Sequence, residues 1–244
     1  MKIADRISRI QPSITLEMTA KAAELRQSGI DVINLSVGEP DFDTPENIKE
    51  AARSAINKGM TKYTAGSGIP ELKKSIINKL KRDNNLDYDL DNIIVSCGGK
   101  HTLYNACQVL FQTGDEVIIF SPYWVSFPDF VAITGAKPVV VPTIPERQYE
   151  PDFSILEKSI NGNTRGIIIN SPSNPTGGVW GDDAIKRTLE IAKQKNLWVF
   201  SDECYEQLTY DKKFKSIQEY DLDNKRVLTF QSCSKTYSMT GWRI

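Results

Sequence analysis

The stretch RGIIINSPSNPTGG, residues 165–178, decides the fold class. It begins as a short apolar run with three isoleucines and changes abruptly to serine, proline, asparagine and glycine. A continuous apolar run of this length is typical of a strand buried on both faces, as in parallel sheets. The turn-forming residues then mark the carboxyl end of that strand.

Similar apolar runs recur along the chain and alternate with helical patterns. They read NIIVS, EVIIF, PVVV, LWVFS and RVLTFQ, at residues 92–96, 116–120, 138–141, 197–201 and 226–231. Between them, Thr44 is expected to cap a helix whose first residue is Pro45, and Pro70 is expected to open the next helix. The alternation predicts an α/β fold with a mostly parallel sheet between helices.

The first 43 residues differ from the rest. They contain one helical pattern, residues 18–26 ended by Gly29, and one short predicted strand, DVINLS at 31–36. We expect them to form an arm and entry segment.

Composition excludes several classes of function. The chain has 244 residues, with 30 Lys+Arg against 31 Asp+Glu, so it lacks the basic excess of a nucleic-acid or membrane-surface binder. It has no apolar run near the roughly 18 residues of a membrane span and no apolar leader, so we expect a cytoplasmic protein. Four irregularly spaced cysteines and a single histidine, His101, argue against a disulfide framework and a metal site. His101 is expected to be a polar residue near a helix start.

Ligands of open α/β sheets bind at the carboxyl ends of the strands. Five of the predicted strands end in polar, glycine-rich or aromatic loops. These loops are residues 97–101, 121–124, 171–177, 202–205 and 232–235. They point to one sheet edge, which we therefore predict to be the functional site.

Three of these loops suggest how a ligand is held. Gly98 and Gly99 can expose backbone N–H groups to an anion at a helix N-terminus, although neither a GxGxxG nor a GxxxxGK[ST] motif is present. Tyr123 and Trp124 offer a flat face for a planar ring, with core packing as the alternative. Asp202 follows a buried strand and needs a cationic partner, either a protonated ring nitrogen or an arginine.

The last loop adds a nucleophile. Lys235 lies at a strand end, where a partly desolvated amine can form a Schiff base. The hydroxyls of Ser232 and Ser234 and the guanidinium of Arg243 suit the oxygens of a phosphate. Together with Asp202, these groups match the requirements of pyridoxal phosphate.

Seven motifs carry a resemblance to a known family. They are SVGEPDFDTP, KYTAGSGIPELK, GGKHTLYN, SPYWVSFP, NSPSNPTGG, SDECYEQL and SCSKTYSMTGWR, beginning at residues 36, 62, 98, 121, 170, 201 and 232. In this order the chain resembles the class I pyridoxal-phosphate aminotransferases, in particular the bacterial aspartate aminotransferase subgroup. The resemblance implies a seven-stranded, mostly parallel sheet. Residues 1–43 would form the N-terminal arm and part of a small domain, and 44–244 an incomplete large cofactor-binding domain. The rest of the small domain, with the arginine that clamps the substrate α-carboxylate, would follow residue 244.

The resemblance also assigns roles at the cofactor. Lys235 would form the Schiff base and move the substrate proton, Asp202 would pair with the pyridinium, and Tyr205 would act on the ring oxygen together with Asn174. Trp124 would stack on the ring. The phosphate would be surrounded by Gly99, Lys100, Ser232, Ser234 and Arg243.

Further roles concern the substrate and a second subunit. Substrate contacts would come from the backbone of Gly38 and from Trp124, Asn174 and Lys100. Lys100 stands where many relatives have a small or hydroxyl residue, and it resembles the cation that meets a distal substrate carboxylate. Tyr63 would reach the phosphate of the neighbouring subunit, which implies a homodimer.

The expected function is a transaminase that moves an amino group between an acidic amino acid such as aspartate and a 2-oxo acid such as 2-oxoglutarate. Aromatic, prephenate, alanine and kynurenine activities remain open on the same scaffold. Two other classes compete. Ser232 and Lys235 form an SxxK pattern, as in acyl-enzymes of the penicillin-binding type, but the SDN and KTG elements are missing and the pattern follows a predicted strand. A binding or regulatory protein, or an inactive cofactor-binding fragment, is the non-enzyme alternative.

Overall fold

A computed structural model describes residues 2–10, 12, 14–35, 38–211, 213–221 and 226–244. In these ranges the chain forms eight α-helices and six strands. The helices are α1 Ile14–Gln27, α2 Glu46–Asn57, α3 Pro70–Asn84, α4 Gly99–Leu110, α5 Ser126–Ala132, α6 Phe153–Ser159, α7 Asp182–Lys195 and α8 Cys233–Thr236. The strands are β1 Glu116–Ser121, β2 Lys137–Ile144, β3 Glu150–Pro151, β4 Thr164–Asn170, β5 Trp198–Asp202 and β6 Val227–Phe230.

The strands form one sheet in the order β3-β2-β1-β4-β5-β6. All neighbours pair in parallel except β3, which runs antiparallel to β2. In the centre, Ile118 of β1 lies opposite Val139 of β2 on one side and Ile167 of β4 on the other. The parallel α/β class predicted from the apolar runs is confirmed.

Both faces of the central strands are buried. Side chains at alternate positions, such as Ile118, Ile167 and Val199, pack in one cluster beneath α7. Their neighbours, such as Ile168 and Phe200, pack in a second cluster that includes residues of α4 and α5. Because each face has its own apolar layer, the central strands carry continuous apolar runs, such as 117–120 and 167–169, and not alternating ones.

The described sheet has six strands and not the seven expected. The predicted strand at 92–96 is not a strand: Asn92 ends a 3-10 turn, and Val95 makes a backbone hydrogen bond to Ser67. Ile93 packs instead with Leu80 of α3 and Leu86, in a cluster separate from the two on the sheet. A short apolar run can serve helix packing as well as a strand, and periodicity alone does not separate the two.

The helix boundaries correct two further expectations. Pro45, not Thr44, occupies the N-cap position of α2, and the first helical residue is Glu46. Pro70 does open α3, and Gly29, with φ +83°, follows the end of α1. Residues 31–35 of the predicted DVINLS strand form no strand, and residue 36 lies outside the described residues. Within the described ranges, no helix is long and apolar enough to cross a membrane.

The close approach of β4 to α4 gives a test of the packing. A Cβ added to Gly166 would lie 2.5 Å from the ring of Phe111, a buried residue just after α4. We expect Gly166→Ala to lower the free energy of unfolding by about 1–3 kcal/mol, because overpacked cores must shift. Urea denaturation of the complete gene product measures this. Gly162→Ala, whose Cβ meets nothing within 4 Å, is the control. Equal stability of the two variants would contradict the packing described.

Candidate functional site

The carboxyl ends of four parallel strands meet at one edge of the sheet. In the register of the sheet, Asn170 lies beside Asp202, and Asp202 beside Phe230. The loops that leave β1, β4, β5 and β6 therefore lie side by side in that order. The N-terminus of α4 touches both outer loops, since Gly99 lies near Ser232 and Lys100 lies near Trp124. The predicted loops thus surround one site with Asp202 near its centre.

Asp202 is a buried carboxylate, with 6% of its surface exposed. One oxygen accepts a hydrogen bond from the backbone N–H of Cys204 at 3.2 Å. Among the residues described, no lysine or arginine forms an ion pair with it. Burial therefore raises the pKa of Asp202 from its usual 3.8 to about 6. A cation placed against this carboxylate would restore its charged form.

Asn174 and Tyr205 connect the loops after β4 and β5. The side-chain amide of Asn174 donates to the Tyr205 hydroxyl at 3.3 Å, and its backbone N–H donates to Asn170 Oδ1 at 2.7 Å. Burial raises the pKa of Tyr205 to about 12, so its hydroxyl stays protonated at neutral pH. The pair can therefore donate hydrogen bonds to an oxygen of a ligand.

The fold places three residues of the predicted anion site at the start of α4: Ser232, Ser234 and Arg243. Ser232 caps α8: its hydroxyl accepts from the backbone N–H of Ser234 at 3.2 Å and donates to the carbonyl of Ile244 at 2.9 Å, with Ser234 Oγ 3.0 Å away. The Arg243 guanidinium donates to the carbonyl of Cys97 at 3.4 Å. Gly98, at φ +82°, admits this guanidinium, because a Cβ there would lie 2.3 Å from Arg243 Nη2.

Lys235 lies on α8 and crosses to the N-terminal segment. Its amine donates to the carbonyl of Gly38, so the structure brings these two predicted residues together. The nearby Cys204 thiol has its pKa raised to about 12, chiefly by burial, and therefore stays protonated. The Cys204 thiol is therefore a poor nucleophile.

Trp124 and Lys100 form the opposite side of the site. Lys100 Nζ lies over the Trp124 ring, 5.0 Å from its centroid, which is a cation–π contact. Edges of Phe127 and Phe130 pack against Trp124, and Tyr123 joins the same core cluster. Both readings of this aromatic pair hold in part: the rings extend the core and also border the site.

Two of the singled-out residues, Tyr63 and His101, are exposed. Tyr63 is 107% exposed, so the structure does not bring it to the other predicted residues. His101 is an exposed residue in the first turn of α4, where its ring accepts from the backbone N–H of Cys97 at 3.3 Å. This is the polar position near a helix start that the sequence predicts. No cluster of His, Cys, Asp or Glu in the described ranges could hold a metal ion.

Sequence reasoning missed a link between the site and the N-terminal segment. The buried Thr44 hydroxyl donates to the carbonyl of Ser238 at 2.5 Å and accepts from the Trp242 indole at 3.0 Å. Thr240 also donates to Glu39. Thr44 therefore holds the segment that joins Lys235 to Arg243. A Thr-Pro pair before a helix suggests only a cap, so the contact could not be found from sequence.

Comparison with known proteins agrees with the resemblance seen in the sequence. The family model described as "Aminotransferase class I and II" matches residues 30–244. A relative from Rickettsia conorii, named "Probable aspartate/prephenate aminotransferase", is 47% identical over 99% of this chain and 61% of its own length. The chain therefore spans about three fifths of this curated relative.

Solved structures agree in fold. An aspartate aminotransferase from Thermus thermophilus with maleate has a TM-score of 0.95 and 40% identity, covering 100% of this chain and 63% of that one. An alanine aminotransferase from Pyrococcus furiosus has a TM-score of 0.93 and 31% identity, covering 99% and 62%.

The raised pKa of Asp202 predicts a pH-dependent stability. The folded state favours the protonated carboxyl of Asp202. Its contribution to the free energy of unfolding is therefore fully present below pH 3.8 and is lost as pH rises through about 6. The difference corresponds to about 3 kcal/mol. In protein stripped of small molecules, Asp202→Asn is expected to be more stable than wild type by up to about this amount at pH 8, and equal to it at pH 4.

Chemical denaturation at both pH values measures the difference. Asp211→Asn, at an exposed position, is the control and should match wild type throughout. A wild type as stable as Asp202→Asn at pH 8 would show that Asp202 is not an uncompensated buried charge.

Proposed function

Because the chain belongs to the class I and II aminotransferase family, we propose that it forms the cofactor-binding part of a pyridoxal-phosphate-dependent transaminase. The observation that carries this proposal is the buried Asp202 carboxylate at the sheet edge, which has no cation against it in the described chain. A protonated pyridine nitrogen supplies the missing charge. The amine of Lys235 and the Asn174–Tyr205 pair complete the set that such a ring requires.

The residues around Gly98 and Gly99 fit the phosphate of the cofactor. The N-terminus of the 12-residue helix α4 directs backbone N–H groups and its positive dipole to this point. Ser232 and Ser234 add hydroxyls, and Arg243 adds a guanidinium that is already held beside Gly98. A dianion would meet a full positive charge and several donors there.

Pyridoxal phosphate, when bound, supplies an aldehyde that joins to amines and a protonated ring that withdraws electrons from the substrate α-carbon. Lys235 would provide the amine that holds the cofactor, and it would then take the proton from the substrate α-carbon and return it. Asp202 would keep the ring nitrogen protonated. Tyr205 and Asn174 would donate to the ring oxygen, and Trp124 would cover one face of the ring.

We propose an acidic amino acid such as aspartate as donor and a 2-oxo acid such as 2-oxoglutarate as acceptor. Lys100 supports this choice, since its ammonium lies over Trp124 at the border of the site. A solved relative that holds maleate, a dicarboxylate, points the same way. The name of the Rickettsia relative makes prephenate a second candidate, and the Pyrococcus structure keeps alanine open.

The proposal extends to domains and assembly. Residues 44–244 would form the large domain and 1–43 the arm and part of a small domain. The fully exposed Tyr63 has no role inside its own chain's site, so we infer that it reaches the site of a second copy in a homodimer.

The SxxK alternative is weakened by the contacts of its two residues. Ser232 does begin a helix, contrary to the expectation that a position after a strand excludes this. However, its hydroxyl donates to the carbonyl of Ile244, whereas the Lys235 amine donates to the carbonyl of Gly38. An acyl-enzyme serine requires its lysine within hydrogen-bond reach.

Covalent labelling tests the role of Lys235. After incubation with pyridoxal phosphate and borohydride reduction, wild-type complete gene product should carry the label on Lys235, identified by mass spectrometry. Lys235→Ala should carry none and should lose transamination, whereas Lys74→Ala, an exposed control, should behave as wild type. Labelling of another lysine with Lys235 unmodified would overturn the assignment.

Lys100→Met tests the substrate class. Loss of a charged hydrogen bond should lower kcat/KM for aspartate by about 10- to 100-fold and leave alanine nearly unchanged. Cofactor affinity should stay within about twofold, because Arg243, the serines and α4 still hold the phosphate. Lys74→Met is the matched control. An equal loss for aspartate and alanine would place Lys100 at the cofactor only.

A further inference from the structure

Glu206 is a buried acid that none of the roles above uses. It lies next to Tyr205, and only 4% of its side chain is exposed. One oxygen pairs with the ammonium of Lys79. The other accepts from Asn84 Nδ2 at 2.8 Å and from Gln231 Nε2 at 3.0 Å.

Lys79 completes a closed set of contacts. Its ammonium, on a side chain that is 14% exposed, donates to Glu206, to Asn84 Oδ1 at 2.8 Å and to Gln231 Oε1 at 2.9 Å. These three acceptors match its three N–H groups. Asn84 and Gln231 each accept from Lys79 and donate to Glu206. We call the four residues the Lys79 ring.

The ring joins three separate elements at the rear of the site. Lys79 and Asn84 lie on α3, whose apolar face packs in its own cluster apart from the two clusters on the sheet. Glu206 lies in the turn after β5, and Gln231 directly follows β6. Two site residues, Tyr205 and Ser232, are their immediate chain neighbours.

We propose that the Lys79 ring is a positioning device that holds the Tyr205 turn and the Ser232–Lys235 loop in register with each other. This inference rests on the proposed function, because its benefit is a preformed cofactor site. Glu206 and Lys79 each bond to the other three members of the ring.

The composition of the ring favours positioning over stability. A buried ion pair is expensive to desolvate, and apolar side chains of similar size often stabilise a protein as well or better. Directional bonds from three elements, with the three Lys79 donors and both Glu206 oxygens engaged, instead define one arrangement of the loops. Catalytic and binding groups depend on such support.

Glu206→Gln is the direct test, because it keeps the volume and removes the charge. Two amide donors and an ammonium would then face one oxygen and one NH₂ group, so one contact must fail. We expect the Kd of the cofactor-free complete gene product for pyridoxal phosphate, measured by fluorescence titration, to rise about 10- to 100-fold. Backbone hydrogen exchange at 203–208 and 231–235 should also become faster without cofactor.

Two controls separate positioning from general destabilisation. Lys81 lies on α3 like Lys79 and forms an exposed ion pair with Asp87, beyond the end of the helix. Lys81→Met breaks this pair and should leave both measurements unchanged. Leu156→Ala opens a cavity in the core cluster beneath α7, far from the ring in sequence. It should lower stability without raising the Kd for the cofactor. In a double-mutant cycle, Lys79→Met should add little to Glu206→Gln, because the same ring is already broken.

The outcomes distinguish the two proposals. If wild type binds no pyridoxal phosphate, the proposed function fails. The hydrogen-exchange rates of wild type and Glu206→Gln then test by themselves whether the Lys79 ring holds the two loops. If wild type binds the cofactor and Glu206→Gln matches it in Kd and in exchange, the ring proposal is overturned. A change in Glu206→Gln no larger than that in Leu156→Ala would likewise overturn it.

Discussion

Burial of both faces of the central sheet is the constraint on which the rest of this structure depends. Strands β1, β4 and β5 lie between two apolar layers, so ligand chemistry has no place along their length. Polar and charged groups can meet a ligand only where the strands end. Because the strands are parallel, those ends meet at one edge, and loops from distant parts of the chain lie side by side.

Three acids at and just after the end of β5 have very different surroundings. Asp202 has a single backbone donor, and burial raises its pKa to about 6. Glu203 is fully buried, and one oxygen accepts from Ser201, Ser216 and the backbone of Ile217, although burial still raises its pKa to about 7. Glu206 pairs with a lysine. Asp202 thus lies at the sheet edge with one backbone donor and no ion pair in the described chain, whereas Glu203 has three donors on one oxygen and Glu206 has a lysine. This difference supports Asp202 as the partner of an external cation.

The sequence alone predicted which loops lie together at the sheet edge, but not the contacts that hold those loops. The loops after β1, β4, β5 and β6 were found because an apolar run followed by turn residues is a local signal. Residues 92–96 carried the same signal and form no strand, because Ile93 packs against α3 and not into the sheet. No local signal pointed to the side-chain contacts of Thr44 and Glu206, since these partners lie from 25 to 198 positions away along the chain.

The sequence by itself determined the α/β class, the parallel strands, the edge at which the loops meet and the identity of the groups offered there. These follow from local patterns, because strand burial and turn chemistry are encoded by neighbouring residues. Tertiary structure alone decided that Asp202 forms no ion pair with the residues described, that Lys235 reaches Gly38 and that Glu206 binds Lys79. The interaction between charged groups depends on their distance in space and on the exclusion of water, and neither can be read from the spacing of residues along the chain.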